Sequence, residues 1–308
     1  MIDDAYRENA SYLYGLCYRM TGSTADAEDL VQETFARALA SPPADTTAPW
    51  RPWLVRVAVN LARDRLRQRK RTPYVGPWLP APIETGDEAA DGDDPERRYG
   101  MVESVSFAFL LACEALTPRQ RAVLLLRDVF DYSVEEAAQA LSLTAANVKT
   151  THHRARSAME AYDAARLPPT RAVQERTRAA LERLALALRA GDAGAVEAVL
   201  LPSAVTTTDA GGDYHAALRH VVGAQRVARF YLGLIKKRAP SRVTLRCVNG
   251  LPALIVEIDD PPPRVAPRLV VRCDLGADDR ISRLHAILAT SKLKAISRPE
   301  AASPAPAA

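Results

Sequence analysis

Trp50, Trp53, Arg56, Asn60, Arg63 and Arg67 fall within one run, WRPWLVRVAVNLARDRLRQRKR, at 50–71. Guanidinium groups hold phosphates, a carboxamide reads a base edge, and an indole stacks on an unpaired base or wedges beside it. The spacing predicts a helix from Trp53 to Leu66. Leu54, Val57, Ala58, Leu61 and Ala62 recur at i, i+3, i+4, i+7 and i+8 and define a buried face. Arg56, Asn60, Arg63 and Arg67 make a second stripe. The run closes on Arg65, Arg67, Arg69, Lys70 and Arg71, cations that suit a helix C-terminus. A bundle helix with a solvated basic face has the same pattern, so this segment alone allows both readings.

The rest of the chain must position that helix. At 308 residues it has room for two or three domains. Net charge is only +4, but it is unevenly spread. Residues 1–72 carry eleven Lys and Arg against nine Asp and Glu, and residues 73–108 carry two against eight. Residues 109–166 carry seven against seven, and residues 167–308 carry 21 against 13. The order is thus an acidic linker, a neutral segment and a basic C-terminal part. No apolar run is long enough to span a bilayer, and no leader pattern follows Met1, so a cytoplasmic location is expected. Cys17, Cys113, Cys247 and Cys273 lack paired ligand spacing and are expected as reduced thiols. No metal, cofactor or catalytic site is expected.

In chain order, residues 5–21 read as a first helix with Tyr6, Ala10, Leu13, Tyr14 and Cys17 apolar, ended by Gly22. A second begins at Ser23–Asp26, with Leu30, Val31, Phe35 and Ala38 inward. Asp26, Asp29 and Glu33 form an acidic stripe flanked by Glu28 and Gln32, which also suits an ordinary helix N-terminus. A Pro-rich loop, Ser41 to Pro49, delivers Trp50 to the basic helix. DAEDLVQETFARAL together with the basic run resembles region 2 of sigma-70-type factors of the extracytoplasmic-function class. That resemblance implies that Asp26, Asp29, Gln32 and Glu33 dock on the clamp of core RNA polymerase. It also implies that Trp50, Trp53, Arg56, Asn60, Arg63 and Arg67 capture and melt the −10 promoter element.

Residues 73–108 read as a linker too rich in Pro, Gly and acid to pack a core. GPWLPAPI at 76–83 is an exception, stiff and sticky enough to dock on something. A helix is expected from Pro95 to Leu116. Thr117–Pro118 opens another, and Ser133–Glu136 matches a capping box opening a short one. Thr144 caps a last helix, AANVKTTHHRARSAMEAY. Two helices around LSLT read as a helix-turn-helix or a plain hairpin, since the turn has no glycine. The stretch from Ala115 to Met159 resembles sigma region 4, which reads the −35 element. On its last helix, Asn147, Lys149, Thr150, His153 and Arg154 are expected at the groove, and Arg156 on phosphate.

After LPPTRA at 167–172, helices near Val173, at 193–201 and after Gly223 precede short alternating strands: AVTTT, VTLRCV, ALIVEI, RLVVRC and ISRLHAI. Helices with an antiparallel sheet predict an α+β domain. The order resembles the SnoaL-like branch of the NTF2-like cone fold, an extension carried by a subgroup of these sigma factors. The subgroup's WLPEP, DGGGK and NPDKL signatures correspond to WLPAP (78–82), DAGGD (209–213) and ATSKL (289–293). The resemblance therefore assigns interdomain regulation to Trp78, Leu79, Pro80, Asp209, Gly211, Gly212, Lys292 and Leu293. Cones leave cavities, so a small ligand is a candidate partner, with Asp209, His215, Asp274 and His285 as pocket candidates.

The resulting expectation is a multidomain chain: two all-α sigma domains (1–72 and 109–166) joined by an acidic Pro-rich linker, then an α+β NTF2-like domain at 173–297 and a disordered tail at 298–308. Its function would be promoter-specific initiation with core RNA polymerase and promoter DNA as partners, modulated by the C-terminal domain. A pull between the acidic linker and the basic domain would hold the two sigma regions in a set orientation. The alternatives are a helix-turn-helix regulator with a ligand-sensing cone, and an enzyme with a nucleic-acid-binding appendage.

Overall fold

The structure, a computed structural model, describes residues 2–86, 98–276 and 278–297. Helices α1 (Ile2–Thr21), α2 (Thr24–Ala40) and α3 (Arg51–Arg69) pack together at the N-terminus. Ser23 caps α2 through the amide of Asp26, and Gly22, at φ +66°, turns the chain between α1 and α2. The buried face of α3 is Leu54, Val55, Ala58, Val59, Ala62 and Leu66. It is rotated from the expected one, with Val57 and Leu61 left half-buried. Both stripes obey the helical period; the choice is made by a second packing partner, because α3 also lies against later helices.

Those are α4 (Phe107–Ala112), α5 (Pro118–Asp128), α6 (Val134–Leu141) and α7 (Ala145–Ala165). Thr117 and Ser133 both form complete capping boxes, with Gln120 and Glu136 returning the bond. The glycine-free turn between α6 and α7 works because Ser142 takes the left-handed conformation at φ +53° and its amide donates to Ala138 and Gln139. The continuous helix expected from Pro95 to Leu116 is not formed. Over its described part the chain makes a 3₁₀ turn at Glu103–Val105, α4, and a second 3₁₀ turn at Cys113–Ala115. Ser106 is extended and caps α4, which breaks the run there.

One apolar core joins both helical groups. Leu13, Leu54 and Val59 belong to the same buried cluster as Phe109, Leu124 and Leu126. The two groups therefore form a single body in this state.

The C-terminal domain opens with α8 (Arg171–Ala190) and α9 (Ala193–Val199), and α10 (Ala224–Lys237) follows after two strands. Its strands are β1 (Leu200–Asp209), β2 (Val221–Val222), β3 (Arg242–Val248), β4 (Leu251–Glu257), β5 (Arg268–Leu275) and β6 (Ile281–Ile287). They form one sheet in the order β2-β1-β6-β5-β4-β3. The sheet is not purely antiparallel as expected: β1 runs parallel to β6, pairing Thr206 with Leu284 and Asp209 with Ile287. The crossover through α10 and the β3–β5 meander makes that possible. Cys247 and Cys273 are free thiols, held apart on β3 and β5 with β4 between them.

Side chains alternate across the sheet. Leu254, Val271, Cys273, Leu284 and Ala286 face Leu181, Leu184, Val227 and Tyr231 of the helices. Ala253, Ile255, Val270 and Ile287 face the other way, and Leu79 and Phe107 cover them. The stretch of the linker that packs here is GPWLPAPI, the exception to its Pro-, Gly- and acid-rich composition: Leu79 and Ala81 are buried. The prolines of WLPAP fix its backbone in advance, so docking costs little further chain entropy.

Candidate nucleic-acid interfaces and the interdomain joint

The α7 surface is open. Asn147, Lys149, Thr150, His153 and Arg154 are all exposed, on the N-terminal half of a helix whose Val148, Ala155 and Met159 are buried. Arg156 differs from its expected role on phosphate. Its guanidinium donates to Asp128 of α5 at 2.6 and 3.2 Å, and His152 Nε2 meets the same carboxylate at 2.8 Å. Burial would raise the Asp128 carboxyl, but these two partners hold it below its usual value. Arg156 ties α7 to α5.

On α3, Trp50, Trp53, Arg56, Asn60 and Arg63 are half-buried and Arg67 is exposed. Arg63 donates to Asn60 Oδ1 at 3.2 Å, and Arg67 pairs with Asp64 at 2.9 Å. Arg56 and Arg63 each bury an Nε with no partner. Burial, with Arg67 and Arg119 nearby, lowers the Arg63 pKa. Two arginines of the stripe thus have unspent hydrogen-bonding capacity. On α2, Asp29, Gln32 and Glu33 are exposed. Asp26 is not free: Arg65 of α3 binds it directly and lies 3.7 Å from Asp29. Asp26 sits in the first turn of α2 and ties it to α3.

The three signature segments meet at one place. Asp209, fully buried at the end of β1, accepts from Tyr74 Oη at 2.6 Å, Leu79 N at 2.7 Å, Gly211 N at 3.1 Å and Lys292 Nζ at 2.6 Å. Lys292 Nζ also donates to Leu79 O at 2.5 Å and lies 4.5 Å over the Trp78 ring. Burial, opposed by Asp209, brings Lys292 down to about 8. Gly211 and Gly212 are required at φ +58° and +92°. A Cβ on Gly211 would meet the Tyr74 hydroxyl at 3.2 Å and Ala289 Cβ at 3.3 Å. Pro80 and Leu293 are buried at the same joint.

Trp78 carries the joint to the N-terminal helices. Arg69 of α3 lies 4.1 Å over its ring, and the Trp78 edge fills the space beside Gly22, where a Cβ would stand 2.7 Å away. Arg69 also donates to Thr21 O at 2.7 Å and to both oxygens of Glu114. Glu114 binds the buried Arg121 of α5 at 2.8 Å, and Arg121 donates to Met20 O at 2.8 Å. Sequence reasoning placed Arg69 only in a basic tail and passed over Glu114 and Arg121.

It also missed Asn249 as more than a turn residue. Buried in the Asn–Gly turn at φ +53°, its Nδ2 donates to Tyr18 Oη and Val105 O at 2.7 Å each, and its Oδ1 accepts from Ile83 N at 3.2 Å. One side chain bonds to α1, the linker and the segment before α4. Glu84, the described acid of the linker run, binds Arg246 at 2.6 Å. The run from Asp87 to Glu96 and the tail at 298–308 lie outside the described residues.

The expected cone pocket is not assembled. Asp209 is in the joint, His215 is exposed, and Asp274 and His285 lie on the sheet face away from the helices, beneath Phe107. His285 Nε2 meets Asp274 at 3.1 Å, Arg272 meets it at 2.8 Å, and Phe107 covers Arg272 at 4.8 Å. Leu181, Leu184, Val227 and Tyr231 occupy the space between helices and sheet, so the small-ligand expectation is not retained.

Residues 5–72 match the Sigma-70 region 2 family and residues 106–159 match Sigma-70, region 4. The ECF RNA polymerase sigma factor SigJ of Mycobacterium tuberculosis is 36% identical over 245 residues, covering 78% of this chain and 76% of that one. This chain belongs to the ECF sigma factors of RNA polymerase. The crystal structure of SigJ superposes with a TM-score of 0.67 at 31% identity, covering 92% of this chain and 95% of that one. SigW of Bacillus subtilis is 33% identical over 167 residues, 51% of this chain and 84% of its own. Sigma factors are non-catalytic initiation subunits that bind core polymerase and promoter DNA. In this sigma factor, α1–α3 are region 2, α4–α7 are region 4, and the C-terminal extension is an α+β domain of three helices and a six-stranded sheet. Among the described residues no helix is long and apolar enough to cross a membrane.

Proposed function

We propose that the chain directs promoter-specific initiation, with α3 working on the −10 element and α7 on the −35 element. Asp29, Gln32 and Glu33 of α2 meet core polymerase. The C-terminal domain holds regions 2 and 4 together in a resting form and gives way when polymerase engages.

The shared core of regions 2 and 4 carries this reading. Promoter elements centred about 25 base pairs apart lie roughly 85 Å apart along a duplex at about 3.4 Å per step. A single body of about 160 residues is only about 40 Å across. While the core is shared, α3 and α7 do not reach both elements of one promoter. Opening must break contacts that run through Arg69, Glu114, Arg121 and Trp78 as well as the core. The exposed face of α7 and the unpartnered arginine atoms of α3 support a chain stored short of its working arrangement.

The experiment compares run-off transcription by core polymerase with the full chain and with Trp78→Ala. Release should raise initiation at limiting chain concentration and increase the radius of gyration. Equal transcription with equal dimensions would refute the restraint.

A further inference from the structure

From Tyr214 to Val256 the chain contains eight Lys and Arg and no Asp or Glu. Four of the cations, Arg226, Arg229, Lys236 and Lys237, lie on α10 and are exposed. At 100° per residue they occupy one stripe about 100° wide, with Gly233 at its middle. A Cβ at Gly233 would meet nothing within 4 Å, so the stripe faces open space. The opposite face of α10 is committed to the domain core, where Val227, Ala228 and Tyr231 are buried.

Some exposed cations pair with a nearby carboxylate, as Arg37, Arg67 and Arg176 do; what sets the α10 group apart is that four fall together on one stripe of one helix. Among the described residues, Arg226, Arg229, Lys236 and Lys237 pair with none, and Arg229 bonds only to Gln225 of the same helix. Four like charges within about 16 Å of helix repel one another without compensation. The polyanion that offsets such a stripe is a nucleic-acid backbone, with one charge per about 1.7 Å of duplex axis. A lipid surface fits less well, because a membrane-bound amphipathic helix needs a free apolar face and that of α10 is already used.

We infer that α10 is a second DNA surface of this chain. Arg226, Arg229, Lys236 and Lys237 bind the phosphate backbone of duplex DNA without reading sequence, in addition to the base-reading surface of α7. The inference rests on the sigma-factor reading only for why DNA is at hand; the binding itself needs no polymerase.

The test measures binding of the full chain to a random-sequence duplex by fluorescence anisotropy across a salt titration. Replacing all four cations by alanine should flatten the slope of log affinity against log salt by about 3 to 4, from about 0.9 per phosphate contact. It should weaken low-salt binding at least tenfold, while Arg226→Lys with Arg229→Lys should preserve both. The substitutions lie on a solvent stripe of a helix that alanine favours, and circular dichroism checks the fold. An unchanged slope in the folded variant overturns the inference. So does a variant with unchanged slope that no longer sediments with phosphatidylglycerol vesicles, which assigns the stripe to lipid. An expanded radius of gyration with unchanged slope also overturns it, assigning the cations to the chain's own acidic linker. A chain that failed to engage core polymerase yet kept the slope difference would remove the sigma reading and leave this one standing.

Discussion

Lys292 Nζ lies 2.6 Å from Asp209 Oδ2 at the point where three distant stretches of the chain meet. The carboxylate takes a donor from each of Tyr74, Leu79, Gly211 and Lys292. No single partner replaces it. Asp209→Ala leaves an ammonium, a hydroxyl and two amides without this acceptor at the joint, a loss of about 3–5 kcal/mol. Chemical denaturation should show that loss, and small-angle scattering should show the linker released. A variant as stable as the parent would mean that the joint is held by its apolar contacts alone.

Gly22 is the region 2 half of the same joint. Alanine there must adopt φ +66° and place its Cβ 2.7 Å from the Trp78 ring. The backbone strain alone costs about 1–3 kcal/mol, and the ring must also move. Gly22→Ala should red-shift tryptophan emission as Trp78 becomes wetter and should lower the melting temperature. Unchanged emission would show that Trp78 does not depend on this close approach.

Acid should loosen the sheet face under Phe107. Burial pushes the His285 pKa below its ordinary 6.5, with Asp274 opposing. Burial would raise Asp274, but Arg272 and His285 hold it well below the carboxylate range. A released His285 binds its proton near 6.5 and the docked one only lower. The docked form is therefore fully stable above that value and weakens as pH falls through it. Stability measured between pH 7.5 and 5.5 should drop for the parent and drop less for His285→Gln. Parallel profiles would remove His285 from the account.

The α7 residues divide into two kinds. Lys149→Ala, Thr150→Ala, His153→Ala and Arg154→Ala should change promoter preference by about 1–3 kcal/mol at each base contact and leave the melting temperature nearly unchanged. Arg156→Ala should do the reverse, losing about 1.5–3 kcal/mol of stability through Asp128 with sequence preference intact. Band-shift and thermal melts on the same variants separate them. A changed preference in Arg156→Ala would return that residue to the DNA.

Local patterns made most of the elements readable. The helix opening at Thr117–Pro118, the capping box at Ser133 and Gly22 after α1 each satisfy their backbone within a few residues, so sequence alone shows them. The three signature segments were visible too, and the structure brings them into contact. What sequence did not show depends on distant partners. Arg69 reads as one more cation in a basic tail until Glu114 and Trp78 are beside it. The buried face of α3 was off by part of a turn because region 4 packs against the same helix. Asp26 and Arg156 look like surface charges in their own helices and become ties between helices only when Arg65 and Asp128 arrive. The parallel pairing of β1 with β6 joins strands about 80 residues apart, which no alternation pattern encodes. Asp274 and His285 do come together, but on the face that Phe107 covers.

The central claim is that this chain gives core RNA polymerase a promoter choice and keeps regions 2 and 4 folded together until it does so. The most direct measurement loads purified core enzyme with the chain, adds a pool of genomic fragments and sequences the transcripts, while donor and acceptor dyes on α2 and α7 report the distance between regions. The account predicts a discrete set of start sites sharing −10 and −35 elements, with energy transfer falling as the holoenzyme forms. Start sites no different from those of core enzyme alone would contradict the sigma reading, and promoter-specific starts with unchanged transfer would contradict the release.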